Sequence, residues 1–251
     1  MIEFTPEFFA LALPAVVFAG ISKAGFGSGA AFASSSILAL VLPPGQALGI
    51  MLPLLMLVDV ASLKPYWKRW SWPESRAMIL GGLPGVALGA ALYRVTDDDV
   101  IRLLIGMISL GFVAWQISVR QGWIRLGGRP LPKRGGYWAG LVAGFTSFVS
   151  HAGGPPAAVY LLGRQMDKTS YQATTVLVFW AINLFKFVPY SFLGIFTLQT
   201  FLADLYLAPA ALIGAWLGVR AHYWFPDRAF FALAYVLLSV TGVKLIWDAV
   251  I

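Results

Sequence analysis

Two polar interruptions inside long apolar tracts hold most of the side chains in this chain that could do chemistry. The first reads Ser22-Lys23-Ala24-Gly25-Phe26-Gly27-Ser28-Gly29 and supplies two hydroxyls, one ammonium and three glycines. The second places Thr146, Ser147, Ser150 and His151 just before Gly153-Gly154-Pro155-Pro156. Hydroxyls and an ammonium bind an oxyanion, and glycine lets backbone N–H groups come close to it. A helix opening after each break would aim its free N–H groups and the positive end of its dipole at the same ligand. Pro just inside the second opening suits such a start. The expected chemistry is reversible anion binding in a two-sided cage. Its substrate-binding candidates are Ser22, Lys23, Gly25, Gly27, Ser28 and Gly29 on one side, and Thr146, Ser147, Ser150, His151, Gly153 and Gly154 on the other.

Each break alone reads equally well as a kink between packed helices; it is the recurrence of the break that favours a site. Asp59, His151 and Asn183 are the candidates for coupling to an ion. A carboxylate inside a membrane segment is functional by default, although Asp59 lies five residues before Lys64 and an interfacial place is equally open to it. His151 reads as well as a hydrogen-bonded packing residue. Lys186, toward the outer end of its apolar stretch, is expected to snorkel.

Composition says what surrounds these residues. Of 251 residues, 59% are hydrophobic and 12% charged, against about a quarter charged in a soluble domain. Lipid is therefore the expected solvent for most of the surface. Cysteine is absent, which removes disulfides and thiolate metal sites. The net charge of +7 sits in short loops between apolar runs, a membrane-topology signature rather than a nucleic-acid face. H-E-x-x-H, G-x-S-x-G, Walker and dinucleotide motifs are all missing, so neither an enzyme nor a cofactor is expected. The first ten residues hold Glu3 and Glu7 but no Lys or Arg, so a cleaved leader is not expected.

A membrane helix needs about 20 apolar residues. Stretches 46–63, 77–93, 100–119, 170–190, 201–219 and 229–247 meet or approach that length. Tracts 8–42 and 136–163 carry the two breaks, and each reads as two short helices, re-entrant or crossing twice. Basic loops mark the cytoplasmic side. Residues 64–76 and 120–134, with 164–168 and 220–228, fall there, while the acidic 93–102 and the uncharged 191–200 fall outside.

The halves also repeat. Gly20 and Gly29 align with Gly144 and Gly153, Asp59 with Asn183, and Pro65-Tyr66 with Pro189-Tyr190, all at an offset of 124. After a five-residue insertion, Gly85 and Gly89 fall on Gly214 and Gly218. Matching loops carry opposite charge character, as inverted repeats require. The expected fold is thus an all-α polytopic membrane protein of two inverted-topology repeats, each a Gly-broken helical hairpin plus three transmembrane helices. Residues 1–120 form the first repeat, 121–135 a cytoplasmic linker and 136–251 the second repeat. Such repeats with broken helices point to a secondary transporter whose site lies near the midplane. The G-x-x-x-G pairs are expected to pack helices closely, within one protomer or in a homodimer. An anion channel and a non-transporting scaffold subunit are the competing readings.

With its A-G-I-S-K-A-G-F-G-S-G segment (residues 19–29) and the later G-F-T-S-F-V-S-H-A-G-G-P-P (residues 144–156), the chain resembles the TauE/SafE sulfite exporter family over nearly its whole length. The first motif is less Gly-rich than is usual there, interrupted by Ser22-Lys23 and Phe26. The resemblance implies a bacterial inner-membrane permease that moves sulfite or a related organosulfonate without ATP, with membrane lipid and the anion as its partners.

Overall fold

The computed structural model describes residues 2–26, 30–124, 131–224 and 227–251, and every regular element among them is helical. Gly27, Ser28, Gly29, Arg125 and Arg129 lie outside the described residues. Ten helices follow one another: α1 (Pro6–Gly25), α2 (Ala33–Leu38), α3 (Pro44–Leu63), α4 (Trp72–Val95), α5 (Asp98–Arg120), α6 (Gly135–Ser150), α7 (Gly154–Gly163), α8 (Lys168–Phe192), α9 (Leu198–Trp224) and α10 (Asp227–Val250). Seven of them, all but α2, α6 and α7, are long and apolar enough to cross a membrane. The chain is a multi-pass membrane protein.

One expectation about the broken tracts changes. The second tract divides into two short helices of 16 and 10 residues, but α1 alone has 20 and is long enough to cross. The break in the first tract comes late, after Pro14 has been absorbed into the helix. Proline is tolerated there because neighbouring helices re-satisfy the freed backbone.

Starts follow local chemistry. Thr5 caps α1 by accepting from Phe8 N, and Asp97 caps α5 by accepting from Val100 N at 2.9 Å. Asp167, in the connection ahead of α8, accepts from the backbone of Thr169 and Ser170. Hydrogen bonds from Ser170, then Thr169, hold its carboxyl below the usual carboxylate range.

Packing runs through small-residue seams. Helix α1 lies against α9 and α4 against α6, the two most extensive helix pairs in the molecule. A Cβ on Gly20 would come within 2.8 Å of the Gly214 carbonyl carbon, and one on Gly144 would strike Gly82 O. Backbones this close need glycine on both sides. The G-x-x-x-G residues are therefore used inside the protomer. Both seams join a helix from residues 1–120 to one from 136–251. Helices α3 and α8 pack between them, while α5 and α10 pair with each other at the periphery and keep most of their surface outward. At the helix ends, Arg164 clasps Glu74 at 3.1 Å and Leu131 O at 2.8 Å, tying the end of α7 to the start of α4 and to the linker.

Candidate functional site

A helix leaves its last carbonyls without intrahelical partners. In α1 three successive ones are met by side chains from elsewhere. Gln172 Nε2 donates to Lys23 O at 2.9 Å, Tyr66 OH to Ala24 O at 2.8 Å, and His222 Nδ1 to Gly25 O at 2.9 Å. At the end of α6, Tyr190 OH donates to Phe148 O at 2.7 Å and Ser35 Oγ to Ser150 O at 2.9 Å. Tyr66 and Tyr190 occupy matching sequence positions and cap matching carbonyls. Both are fully buried.

The break after α6 turns at His151, which takes the left-handed conformation with φ 57°. Gly153, with φ −73°, does not make the turn. It is small because a Cβ there would come within 2.8 Å of Ala143 O and 3.0 Å of Ser147 Cβ. Thr146 Oγ1 shares its one hydrogen between Ala152 O and Val142 O, both at 2.9 Å, and Ser150 Oγ donates to Thr146 O at 3.1 Å. Both hydroxyls are thereby engaged by backbone carbonyls around the break. Gly154 opens α7, but Pro155 and Pro156 follow it without N–H groups, so that helix start offers few donors. Only six residues long, α2 presents no extended dipole.

Where α1, α3, α6 and α8 meet, charge is buried. Lys23 Nζ lies 2.9 Å from Asp59 Oδ1, an ion pair by distance without the alignment of a directed hydrogen bond. Asp59 Oδ2 accepts from Asn183 Nδ2 at 2.8 Å. Lys186 Nζ lies 2.7 Å from His151 Nδ1, 3.2 Å from Ser147 Oγ and 3.4 Å from Asn183 Oδ1. His151 Nε2 in turn lies 3.2 Å from Leu48 O. Lys23 and Lys186 sit 5.3 Å and 5.7 Å from the ring centroids of Phe179 and Tyr190, within cation–π range. One connected chain therefore runs from His151 through Lys186, Asn183 and Asp59 to Lys23. Asp59 and Lys186 have no solvent exposure at all.

This arrangement differs from the expected cage. Lys23 offers its charge to a carboxylate of the protein. Ser22 Oγ, buried nearby on α1, has no hydrogen-bond partner among the described residues. Lys186 does not snorkel: α8 runs on to Phe192, which carries residue 186 inward, and neutral acceptors surround it. The signal for it was present. The offset of 124 that pairs Asp59 with Asn183 also pairs Lys23 with Ser147 and Ser62 with Lys186. Each half thus has one ammonium and one hydroxyl at exchanged positions. Ser62 Oγ is likewise buried without a partner among the described residues.

A cavity of about 430 Å³ opens beside this centre, lined among others by Gly25, Gln116, Lys168, Gln172 and His222. Gln172 links the two, facing the cavity and holding the Lys23 carbonyl. A larger groove of about 490 Å³ between α5, α6 and α7 is almost wholly apolar, as a lipid-facing cleft would be. No group of metal-ligating side chains occurs among the described residues.

Fold and centre together define the class, a polytopic helical membrane protein with a buried polar network between its crossing helices. A family model, sulfite exporter TauE/SafE, matches residues 12–245. The chain belongs to the TauE/SafE sulfite exporter family. No curated protein and no solved structure gives a match.

Proposed function

We propose that this protein is a secondary transporter of small sulfur-containing anions, sulfite or a C2 organosulfonate, in the bacterial inner membrane. One observation carries the reading. The centre buries two lysines with a single carboxylate, at zero exposure for Asp59 and Lys186. Whenever both lysines are protonated the centre carries one unbalanced charge, which is costly in a membrane interior unless a partner balances it. A transported anion is such a partner.

Residues 1–120 and 136–251 then act as inverted-topology repeats, with 121–135 as a cytoplasmic linker. The matching tyrosine caps and the reciprocal seams α1–α9 and α4–α6 support this arrangement. In our reading Ser22, Lys23, Ser147, His151 and Lys186 face the anion, and Asp59 and Asn183 set the charge between the halves. Gly25, Thr146, Ser150, Gly153 and Gly154 hold the broken backbone in shape, and Gly27, Ser28 and Gly29 join the site on sequence grounds. Rocking of the two seam-joined bodies would expose the centre alternately to each side. The cavity rimmed by Lys168 is the approach from the cytoplasm.

The test is thermal stability of purified protein in detergent against sulfite, sulfate, sulfoacetate, isethionate, taurine and simple carboxylates. A ligand that binds only the native state stabilises it by about 2.7 kcal/mol at a hundred times its Kd. Stabilisation by a sulfur oxyanion but not by its carboxylate analogue is expected. No shift from any anion overturns the reading. Counterflow in proteoliposomes then separates mechanisms, since substrate on the far side speeds a carrier and leaves a channel unchanged.

A further inference from the structure

Among the described residues Lys23 takes the only carboxylate in the centre, and Lys186 is left with neutral partners. The groups around Lys186 come from four helices. Ser147 lies on α6 and His151 at the turn that ends it, Asn183 and the Tyr190 ring on α8, Asp59 on α3 behind Asn183, and Lys23 on α1 behind Asp59. His151 Nε2 faces Leu48 O. A carbonyl only accepts, so Nε2 carries the hydrogen and Nδ1 turns its lone pair toward Lys186.

These partners suit a neutral amine completely. Its two N–H bonds go to His151 Nδ1 and Asn183 Oδ1, and Ser147 O–H donates to the nitrogen lone pair. The Ser147 hydroxyl makes no other hydrogen bond among the described residues. Add one proton, and three N–H bonds take all three partners, turning the Ser147 hydrogen away. Protonation therefore creates two needs together: one buried positive charge without a counter-ion, and one O–H donor without an acceptor. A monovalent oxyanion meets both.

We propose that Lys186 Nζ is the proton site that couples this transporter, loading one proton with each monovalent oxyanion. The inference rests on the anion-transport reading above. The Lys23–Asp59 pair cancels itself, so the centre is electrically neutral both empty, with the amine unprotonated, and loaded, with ammonium and anion together. Only those two states cross the membrane without an unbalanced buried charge. The proton comes from the solution on the loading side and leaves with the anion on the other, making the transport electroneutral.

The test is calorimetric titration of the purified protein with sulfite and, separately, with isethionate. Each is run in two buffers of different ionisation enthalpy and at several pH values. With isethionate, one proton taken up per anion bound is expected, with affinity falling about tenfold per pH unit on the alkaline side, the slope that one linked proton dictates; sulfite takes up in addition the proton that makes it monovalent bisulfite. Lys186→Arg holds a permanent cation, so isethionate should bind it without proton uptake and with a flat pH profile. Binding to wild type with no proton uptake overturns the coupling and leaves the transport reading intact. Uptake that persists in Lys186→Arg with isethionate places the proton elsewhere and also overturns it. Failure of both anions to bind wild type removes the transport reading itself, and this inference with it. If the bulkier Arg prevents folding, the wild-type proton count with isethionate decides alone.

Discussion

Lys23, Asp59 and Ser62 in the first half occupy the same sequence places as Ser147, Asn183 and Lys186 in the second, yet the two triads behave differently. In the first, the ammonium sits on the broken helix and is neutralised by a carboxylate 2.9 Å away. In the second, the lysine has moved to the long helix, and an amide replaces the carboxylate. Exchanged side chains at matching positions make the charge of the centre asymmetric. Lys23 has a carboxylate partner; Lys186 has neutral ones. Asn183 joins them, accepting from Lys186 and donating to Asp59.

The sharpest way to break this comparison is to remove the carboxylate of the first half. Asp59→Ala leaves Lys23 buried without its partner and should cost about 3–5 kcal/mol, the usual penalty for breaking a buried pair. Denaturant or thermal unfolding in detergent would read it. If the halves are true equivalents, Lys23→Ser should be partly rescued by adding Ser62→Lys, which rebuilds in the first half the pattern of the second. A double variant no more stable than Lys23→Ser would end the equivalence.

Next come the seams. Gly144→Ala puts a methyl against Gly82 O in one seam, and Gly20→Ala puts one 2.8 Å from the Gly214 carbonyl carbon in the other. Overpacking of this kind costs about 1–3 kcal/mol, and both variants should lose thermal stability. Unequal losses would mark one seam as the looser, moving surface.

A smaller and more searching pair is Tyr66→Phe against Tyr190→Phe. Each removes one hydrogen bond to a buried helix-end carbonyl, a loss of about 1 kcal/mol, and matched positions predict matched losses. The smallest effect is expected from Asp167→Ala, at an exposed helix start. Its carboxyl titrates below the ordinary range when folded, so its contribution is present at neutral pH and fades as pH falls through that lowered value. The difference in melting temperature between wild type and variant should therefore narrow in acid.

Much of this molecule can be read along the chain. Apolar runs of membrane length become α3, α4, α5, α8, α9 and α10, because in lipid a helix alone satisfies its own backbone. Gly85 and Gly89 announce a close seam, since only a missing Cβ permits that approach. The breaks at residues 22–29 and 146–154 stand out because polar side chains are expensive at that depth. Other features resist such reading. The turn residue at the second break is His151, although glycine stands two places later, because Gly153 is needed for packing against Ala143 and Ser147. Thr146 and Ser150 look like ligand donors but serve their own helix.

Local chemistry along the chain, then, determines that this protein lives in a membrane, where its helices break, and that its halves share a pattern. Those follow from the transfer energy of each residue and from short-range backbone sterics. Which lysine is neutralised and which is left unpaired is a different kind of fact. Lys23 meets Asp59, and Lys186 meets His151, Ser147 and Asn183, only because α1, α3, α6 and α8 cross at one point. Electrostatic pairing acts over a few ångströms between residues far apart in sequence, and only the tertiary structure sets those distances.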